Sequence, residues 1–168
     1  SRNPLDLSFP PVEHATPVGS RMRVVQLASG VTVVDDSYNA NPASMAAALR
    51  SLAEAPATRR IAVLGDMLEL GPQGGELHRA LANVSEEKGI DLVFCSGPLM
   101  HHLWEALPSR ARGGYAETAA ALEPAVLEAI GAGDAVMVKG SLGSKMGPIV
   151  KALEKQFPKQ TALERAPG

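Results

Sequence analysis

The 168-residue chain has little of several features that would indicate particular classes of protein. Its single cysteine, Cys95, cannot form an internal disulfide bond. No apolar run approaches the roughly 20 residues that a membrane-spanning helix needs, and the N-terminus shows no charged region followed by an apolar segment. These absences predict a cytosolic protein.

The chain also lacks a strong charge of either sign. Sixteen Lys and Arg against 18 Asp and Glu give a formal net charge of -2, and the basic residues are scattered along the sequence. A nucleic-acid partner is therefore not expected. A hydrophobic content of 45% suits one soluble domain with a buried core. Cys95 lies in the apolar run 92–95, which predicts a buried strand thiol without a catalytic role.

Short apolar runs alternate with segments of helical periodicity. Runs at 22–27 and 31–34 are joined by a glycine-containing turn, which predicts a hairpin. Further strands are predicted at 61–64, 91–95 and 135–139, and helices at 42–55, 75–88, 99–107, 119–130 and 148–157, with Pro124 breaking or restarting the fourth helix. This order predicts an α/β domain: a Rossmann-like, doubly wound, mostly parallel sheet with an initial antiparallel hairpin and helices on both faces.

The domain is expected to occupy residues 21–158. Residues 1–20 contain prolines without periodicity, which suggests a linker or the remnant of a preceding domain, and residues 159–168 are expected to form a tail. Ligands of doubly wound sheets bind at the carboxyl ends of the strands, so the loops that follow the strands are the candidate sites.

The loop after the second strand is rich in hydrogen-bonding groups. Asp36, Tyr38 and Asn39 could bind a nucleoside, since a carboxylate accepts hydrogen bonds from ribose hydroxyls and a phenol can stack on a base. Asp36 is expected to face solvent there. The neighbouring Asp35 and Asn41 are interpreted as an Asx-turn residue and a helix N-cap.

The loops after the third and last strands also carry polar groups. Asp66 could be a phosphoacceptor, a metal ligand or a loop-fixing acceptor, of which the last is favoured, and His78 is expected to anchor the same loop. Residues 139–146 could hold an anion with backbone N–H groups and two ammonium groups, or form only a flexible connection. They do not match a P-loop, because two residues separate the glycines and Met146 follows the second lysine. The loop 96–98 is short and is not expected to be informative.

Three motifs occur in order: DDSYNANP at 35–42, LGDMLELG at 64–71 followed by His78, and VKGS at 138–141. Together they resemble motifs of the C-terminal domain of the Mur ligases, in particular those that join D-alanyl-D-alanine to UDP-N-acetylmuramoyl tripeptide. The resemblance covers residues 17–157. It implies an ATP-dependent ligase with three domains, of which the N-terminal domain and the central domain with its P-loop are not in this sequence.

The resemblance also implies a chemistry for the intact enzyme. ATP with Mg²⁺ would phosphorylate the terminal carboxylate of the tripeptide, the amine of D-alanyl-D-alanine would attack the acyl phosphate, and ADP and phosphate would leave. The chain alone is then expected to be inactive and to bind no cofactor tightly. Its expected partners are these small molecules and the two other domains.

Individual residues acquire roles by the same resemblance. Arg21 matches a hinge arginine that reaches the ATP phosphates, and Asp36 matches an acid that contacts the ribose. The remaining expected contacts are with adenosine, from Tyr38 and Asn39, and with the incoming dipeptide, from Lys139, Gly140 and Ser141. Leu142 stands where an arginine often follows this triplet, and Lys145 could supply the missing charge. No metal ligand is assigned to this chain.

Two other functions are compatible with the residues. One is a non-catalytic α/β module that binds a nucleoside or an anion. The other is a phosphoacceptor domain that uses Asp66, with acids at 35–36 and Lys139 nearby; the initial antiparallel hairpin argues against it.

Overall fold

The sheet begins with the hairpin that the sequence predicts. In the computed structural model, which describes residues 22–159, β1 (Arg23–Gln26) pairs antiparallel with β2 (Thr32–Asp36), so that Val24 lies opposite Val34. A single 3-10 turn, Ala28–Gly30, joins the two strands.

The remaining elements alternate along the chain. The other strands are β3 (Arg60–Gly65), β4 (Leu92–Ser96), β5 (Arg112–Ala116) and β6 (Ala135–Lys139). The helices are α1 (Pro42–Ala53), α2 (Gly74–Arg79), α3 (Leu81–Lys88), α4 (Met100–Ala106), α5 (Ala119–Ala129) and α6 (Gly147–Gln156). Further 3-10 turns are Gly71–Gln73, Ser109–Ala111 and Leu142–Ser144.

The six strands form one sheet in the order β1-β2-β6-β3-β4-β5, and every pair except β1 with β2 is parallel. The predicted fold class is therefore confirmed. Because β6 is inserted between β2 and β3, the carboxyl ends of these three strands lie side by side. The register places Lys139 beside Asp36 on one side and beside Leu64 on the other.

The strands are apolar on both faces because helices cover both faces. In β3, Ala62 and Leu64 face the layer that contains α1, α3 and α4, whereas Ile61 and Val63 face α5 and α6. This alternation follows from the two-residue repeat of a strand. Both faces of a central strand are thus buried, which explains why the sequence shows a continuous apolar run.

Local signals in the sequence fix the start of α1. The side chain of Asn41 accepts a hydrogen bond from the backbone N–H of Ser44 at 2.9 Å, and the Ser44 hydroxyl accepts one from the Asn41 N–H at 3.1 Å. Pro42 is the first helical residue, where a missing N–H costs nothing. The N-cap predicted from the sequence is confirmed.

Three features differ from the sequence prediction. The edge strand β5 was not predicted because it contains two glycines; a Cβ on Gly113 would lie 2.6 Å from the ring of Phe94. The helix predicted at 75–88 is two helices that meet at Ala80. Pro124 lies inside a continuous α5, where it removes one backbone hydrogen bond while Leu122 and Val126 on either side remain buried.

None of the helices in residues 22–159 is long and apolar enough to cross a membrane.

Candidate functional site

Three loops meet at the carboxyl edge of the central strands. Loop A (residues 37–41) follows β2, loop B (66–70) follows β3, and loop C (140–146) follows β6. Since β6 lies between β2 and β3, loop C has a neighbour on each side. The motifs at 35–42, 64–71 and 138–141 therefore come together in space.

A buried ion pair joins the ends of β6 and β2. The Lys139 Nζ atom lies 2.5 Å from Asp36 Oδ2 and donates a second hydrogen bond to the carbonyl of Asn39 at 3.0 Å. Lys139 is 2% exposed and Asp36 9% exposed, so the expectation that Asp36 faces solvent is wrong. The strand register places these two residues opposite each other, and each charge offsets the cost of burying the other.

Ser141 bonds loop C to loop B. Its backbone N–H donates to the carbonyl of Asp66 at 3.1 Å, and its hydroxyl accepts from the N–H of Leu68 at 2.9 Å. Within loop C, the Ser144 hydroxyl donates to the Ser141 carbonyl at 2.6 Å. Together with Lys139, these contacts connect loop C to both of its neighbours.

The close approach of loops B and C depends on glycine. A Cβ on Gly140 would lie 3.1 Å from the Cα of Gly65 and 2.5 Å from the Ser144 hydroxyl. A Cβ on Gly65 would lie 2.7 Å from the sulfur of Met146. A side chain at either position would require its neighbours to shift, which explains the glycine of the VKGS motif where β6 ends.

Asp66 holds the start of α4. Its carboxylate accepts hydrogen bonds from the backbone N–H groups of Leu99 at 3.2 Å and Met100 at 2.8 Å. Gly97 has a φ of +112°, and a Cβ there would collide with the Asp66 carboxylate. Asp66 is 5% exposed, and its carboxylate is already hydrogen-bonded within the domain. These contacts support the loop-fixing role, which remains a prediction.

His78 is fully buried and bridges α2 to loop B. Its Nε2 accepts a hydrogen bond from the Met67 N–H at 2.9 Å, and its Nδ1 lies 2.6 Å from the carbonyl of Gly74. An N–H donor approaches one ring nitrogen and a carbonyl approaches the other. This pair of partners requires a neutral ring that carries its proton on Nδ1. The geometry supports the predicted anchoring of loop B.

Loop A presents its other polar groups outward. Asp35 accepts hydrogen bonds from the N–H and hydroxyl of Ser37 at 3.2 and 2.7 Å, as expected for an Asx-turn, and pairs with Arg23. Tyr38 is 45% exposed and Asn39 is exposed. Tyr38 lines a shallow groove of about 360 Å³ between loop A and α6. The groove offers a phenol ring and charged groups at a sheet edge.

A second pocket, of about 390 Å³, lies over the ends of β3 and β4. Its walls include Asp66, Gly97, Thr118 at the N-terminus of α5, and Lys145 of loop C. The loop 96–98, to which the sequence assigns no role, forms part of this wall. The sequence could not show this, because the neighbours of a short loop depend on the strand order.

Tyr115 on β5 fixes this wall. Its hydroxyl donates to the carbonyl of Gly97 at 3.0 Å. Burial, and then the charges of Glu117 and Asp66, raise the pKa of the Tyr115 phenol. The phenol therefore keeps the proton with which it holds the loop.

The three loops also expose apolar side chains. Within the part of the chain that the structure describes, the large hydrophobic side chains that are exposed are Tyr38 of loop A, Leu68 of loop B at 40% and Leu142 of loop C at 63%. All three lie on loops at the carboxyl ends of the central strands.

Two further points concern the predicted site. Arg21 lies outside the described residues. Across residues 22–159, no group of three or more His, Cys, Asp or Glu side chains is arranged to hold a metal ion.

The motifs and the fold agree with one family of proteins. Residues 20–142 match the sequence model of the family described as Mur ligase, glutamate ligase domain. The chain belongs to the Mur ligase family.

Its similar proteins include ligases of one specificity. The UDP-N-acetylmuramoyl-tripeptide–D-alanyl-D-alanine ligase of Escherichia coli (strain K12) is 36% identical over 139 residues, which cover 82% of this chain. The ligase of the same name from Bacillus subtilis (strain 168) is 34% identical over 140 residues, or 80% of this chain. The chain spans 30% of the length of each of these proteins.

Solved structures show the same relationship. MurF from Acinetobacter baumannii superposes with a TM-score of 0.74 at 26% identity, over 85% of this chain and 31% of that protein. MurF ligase from Thermotoga maritima in complex with ADP superposes with a TM-score of 0.69 at 23% identity, over 85% of this chain and 32% of that protein. The latter comparison supports the fold.

Proposed function

We propose that this domain works within a complete ligase that joins D-alanyl-D-alanine to UDP-N-acetylmuramoyl tripeptide in peptidoglycan synthesis. The observation that carries the proposal is the meeting of loops A, B and C at one sheet edge. The motifs that form this edge belong to a chain whose similar proteins bear the name of that ligase. In this proposal the reaction forms an amide bond through an acyl phosphate, consumes ATP and releases ADP, in the cytosol.

The nucleoside is proposed to bind at loop A. Asp36 uses Oδ2 for Lys139, and none of the described residues donates to its Oδ1, which could accept a hydrogen bond from a ribose hydroxyl. Tyr38 and Asn39 are exposed beside it for contact with the adenosine. A MurF ligase of the same fold has been crystallised with ADP, which supports nucleotide use by the intact enzyme. Arg21 is proposed to reach the phosphates.

The dipeptide is proposed to bind on the other side of loop C, in the 390 Å³ pocket. Gly140 and Ser141 shape loop C, and Lys145 adds an exposed ammonium at the pocket wall, where it could pair with the carboxylate of D-alanyl-D-alanine. Asp66 and His78 are proposed to fix loop B, which forms the floor of this pocket. The site residues thus divide into a nucleotide side and a dipeptide side.

The rest of the catalytic machinery is proposed to come from the other domains. Mg²⁺ would neutralise the phosphate charge of ATP, but the described residues of this chain do not form a donor cluster for it. The exposed Leu68 and Leu142 would be covered when the central domain meets this edge. The chain alone should therefore catalyse neither ATP hydrolysis nor amide formation.

Two assays test this proposal. Isothermal titration of the 168-residue chain with ATP should give a dissociation constant of about millimolar or weaker, since only the nucleoside contacts remain. The complete ligase should release phosphate only when both UDP-N-acetylmuramoyl tripeptide and D-alanyl-D-alanine are present. Micromolar ATP binding by the isolated chain would instead favour the non-catalytic nucleoside-binding module.

A complete protein that binds ATP but releases no phosphate with these acceptors would contradict the ligase assignment. Replacement of D-alanyl-D-alanine by D-glutamate or diaminopimelate is the matched control for specificity. Amide formation with either of them, and none with the dipeptide, would place the protein elsewhere in the Mur ligase family.

A further inference from the structure

The ammonium group of Lys139 is enclosed by this domain. Its side chain is 3% exposed, and its two hydrogen bonds go to the Asp36 carboxylate and to the backbone carbonyl of Asn39. Asp36 is the last residue of β2 and Asn39 lies in loop A, so both partners are on the nucleotide side of loop C. The pocket proposed for the dipeptide lies on the other side, and Lys139 is not among the residues that line it.

A direct contact between Lys139 and the dipeptide would require the ammonium to leave this enclosure. The Asp36 carboxylate would then remain buried without its counter-charge, which is more costly than the loss of an exposed ion pair. The exposed Lys145 already offers an ammonium at the dipeptide pocket without such a cost.

The contacts of Lys139 instead define the shape of loop A. The pair with Oδ2 sets the orientation of the Asp36 carboxylate and directs Oδ1 away from the lysine. The bond to the Asn39 carbonyl fixes the backbone between Asp36 and the start of α1. A loop held in its binding conformation loses less entropy when the ligand binds.

We propose that Lys139 is a positioning residue for the nucleotide: it acts through Asp36 and Asn39 on the affinity for ATP and does not touch the dipeptide. This inference rests on the proposed function. It replaces the direct dipeptide contact that the resemblance implied for Lys139.

The test uses the complete ligase with Lys139→Met, which keeps the length of the side chain and removes the ammonium. The dissociation constant for ATP should rise about tenfold, while the KM for D-alanyl-D-alanine should stay within about twofold of its original value. A variant that raises the dipeptide KM and leaves ATP binding unchanged would overturn the inference.

Arg59→Met is the matched control. Arg59 forms an ion pair with Asp134 at 2.8 Å, just before β3 and β6 and therefore at the opposite end of the sheet. Its loss should lower the melting temperature and leave both constants unchanged. A purely structural role of Lys139 would make the two variants behave alike, which would also contradict the inference.

The double variant Asp36→Asn/Lys139→Met keeps the test decisive if Lys139→Met alone does not fold, because it removes both buried charges. Because the double variant also loses the bond to the Asn39 carbonyl, it should bind ATP no more tightly than Asp36→Asn alone, and its dipeptide KM should be unchanged. A further rise of the dipeptide KM in the double variant would refute the inference. ATP binding is measured without an acceptor, so its outcome is separate from a failure of the ligase assignment.

Discussion

Gly140 tests whether the close packing of loops B and C stabilises the site. Its φ is not in the left-handed region, so alanine can adopt the same backbone, and the effect of Gly140→Ala is steric. The new Cβ would lie 2.5 Å from the Ser144 hydroxyl, 2.9 Å from the Met146 side chain and 3.1 Å from the backbone of Gly65. The hydroxyl can rotate away, but the Gly65 backbone belongs to β3 and has to shift.

The magnitude follows from two contributions. Rotation of the Ser144 hydroxyl breaks its 2.6 Å bond to the Ser141 carbonyl, which contributes about 1 kcal/mol. Overpacking against the strand contributes roughly 1–2 kcal/mol more. Gly140→Ala should therefore reduce the free energy of unfolding by about 2–3 kcal/mol, which corresponds to a fall in melting temperature of roughly 6–10 °C.

Gly131→Ala is the matched control, because nothing lies within 4 Å of its Cβ position and its φ is also outside the left-handed region. This variant should be neutral or slightly more stable, through the reduced entropy of the unfolded chain. Thermal melts of both variants, followed by circular dichroism, give the comparison. Equal melting temperatures for the two variants would show that the packing of loop C against β3 is loose and that the reasoning is wrong.

Three further predictions concern buried groups. His78→Ala leaves the Met67 N–H without its acceptor and should cost about 2–4 kcal/mol by urea denaturation. His101→Ala, which loses only exposed contacts with Tyr115 and Glu105, should cost about 1 kcal/mol or less. Burial raises the pKa of the Cys95 thiol, so the thiol should react with iodoacetamide only after unfolding, and rapid labelling of the folded chain would contradict this. The contribution of this thiol to the free energy of unfolding should be complete below pH about 8.5 and should fall above it, because the thiol of the unfolded chain then ionises. The raised pKa of Tyr115 likewise predicts loss of stability above pH about 10, and Tyr115→Phe should remove this component of the pH profile.

The candidate site could be predicted from the sequence only in part. The loops after β2, β3 and β6 were recognised because strands that end in polar motifs mark the ligand edge of a doubly wound sheet. Their internal bonds were not recognised, and these bonds decide which groups can reach a ligand. The ammonium of Lys139 forms an ion pair with Asp36, whereas Lys145 remains exposed. Formal charge alone does not distinguish the two lysines.

The order of strands and helices was determined by the sequence itself. Uniformly apolar runs can be buried on both faces only in a covered sheet, and the Asn41 cap with Pro42 sets the start of α1 through contacts within four residues. Such signals are local and survive without knowledge of the fold. The strand that the sequence does not predict is β5, because its two glycines give a weak local signal.

Only the tertiary structure decided which loops are neighbours. The insertion of β6 between β2 and β3 brings Lys139 to Asp36 across 103 residues of sequence, and the placement of β4 beside β3 makes the short loop 96–98 a wall of the pocket. Strand order depends on how whole helices pack on the two faces of the sheet. Sequence periodicity shows which face of an element is apolar but not which element will cover it.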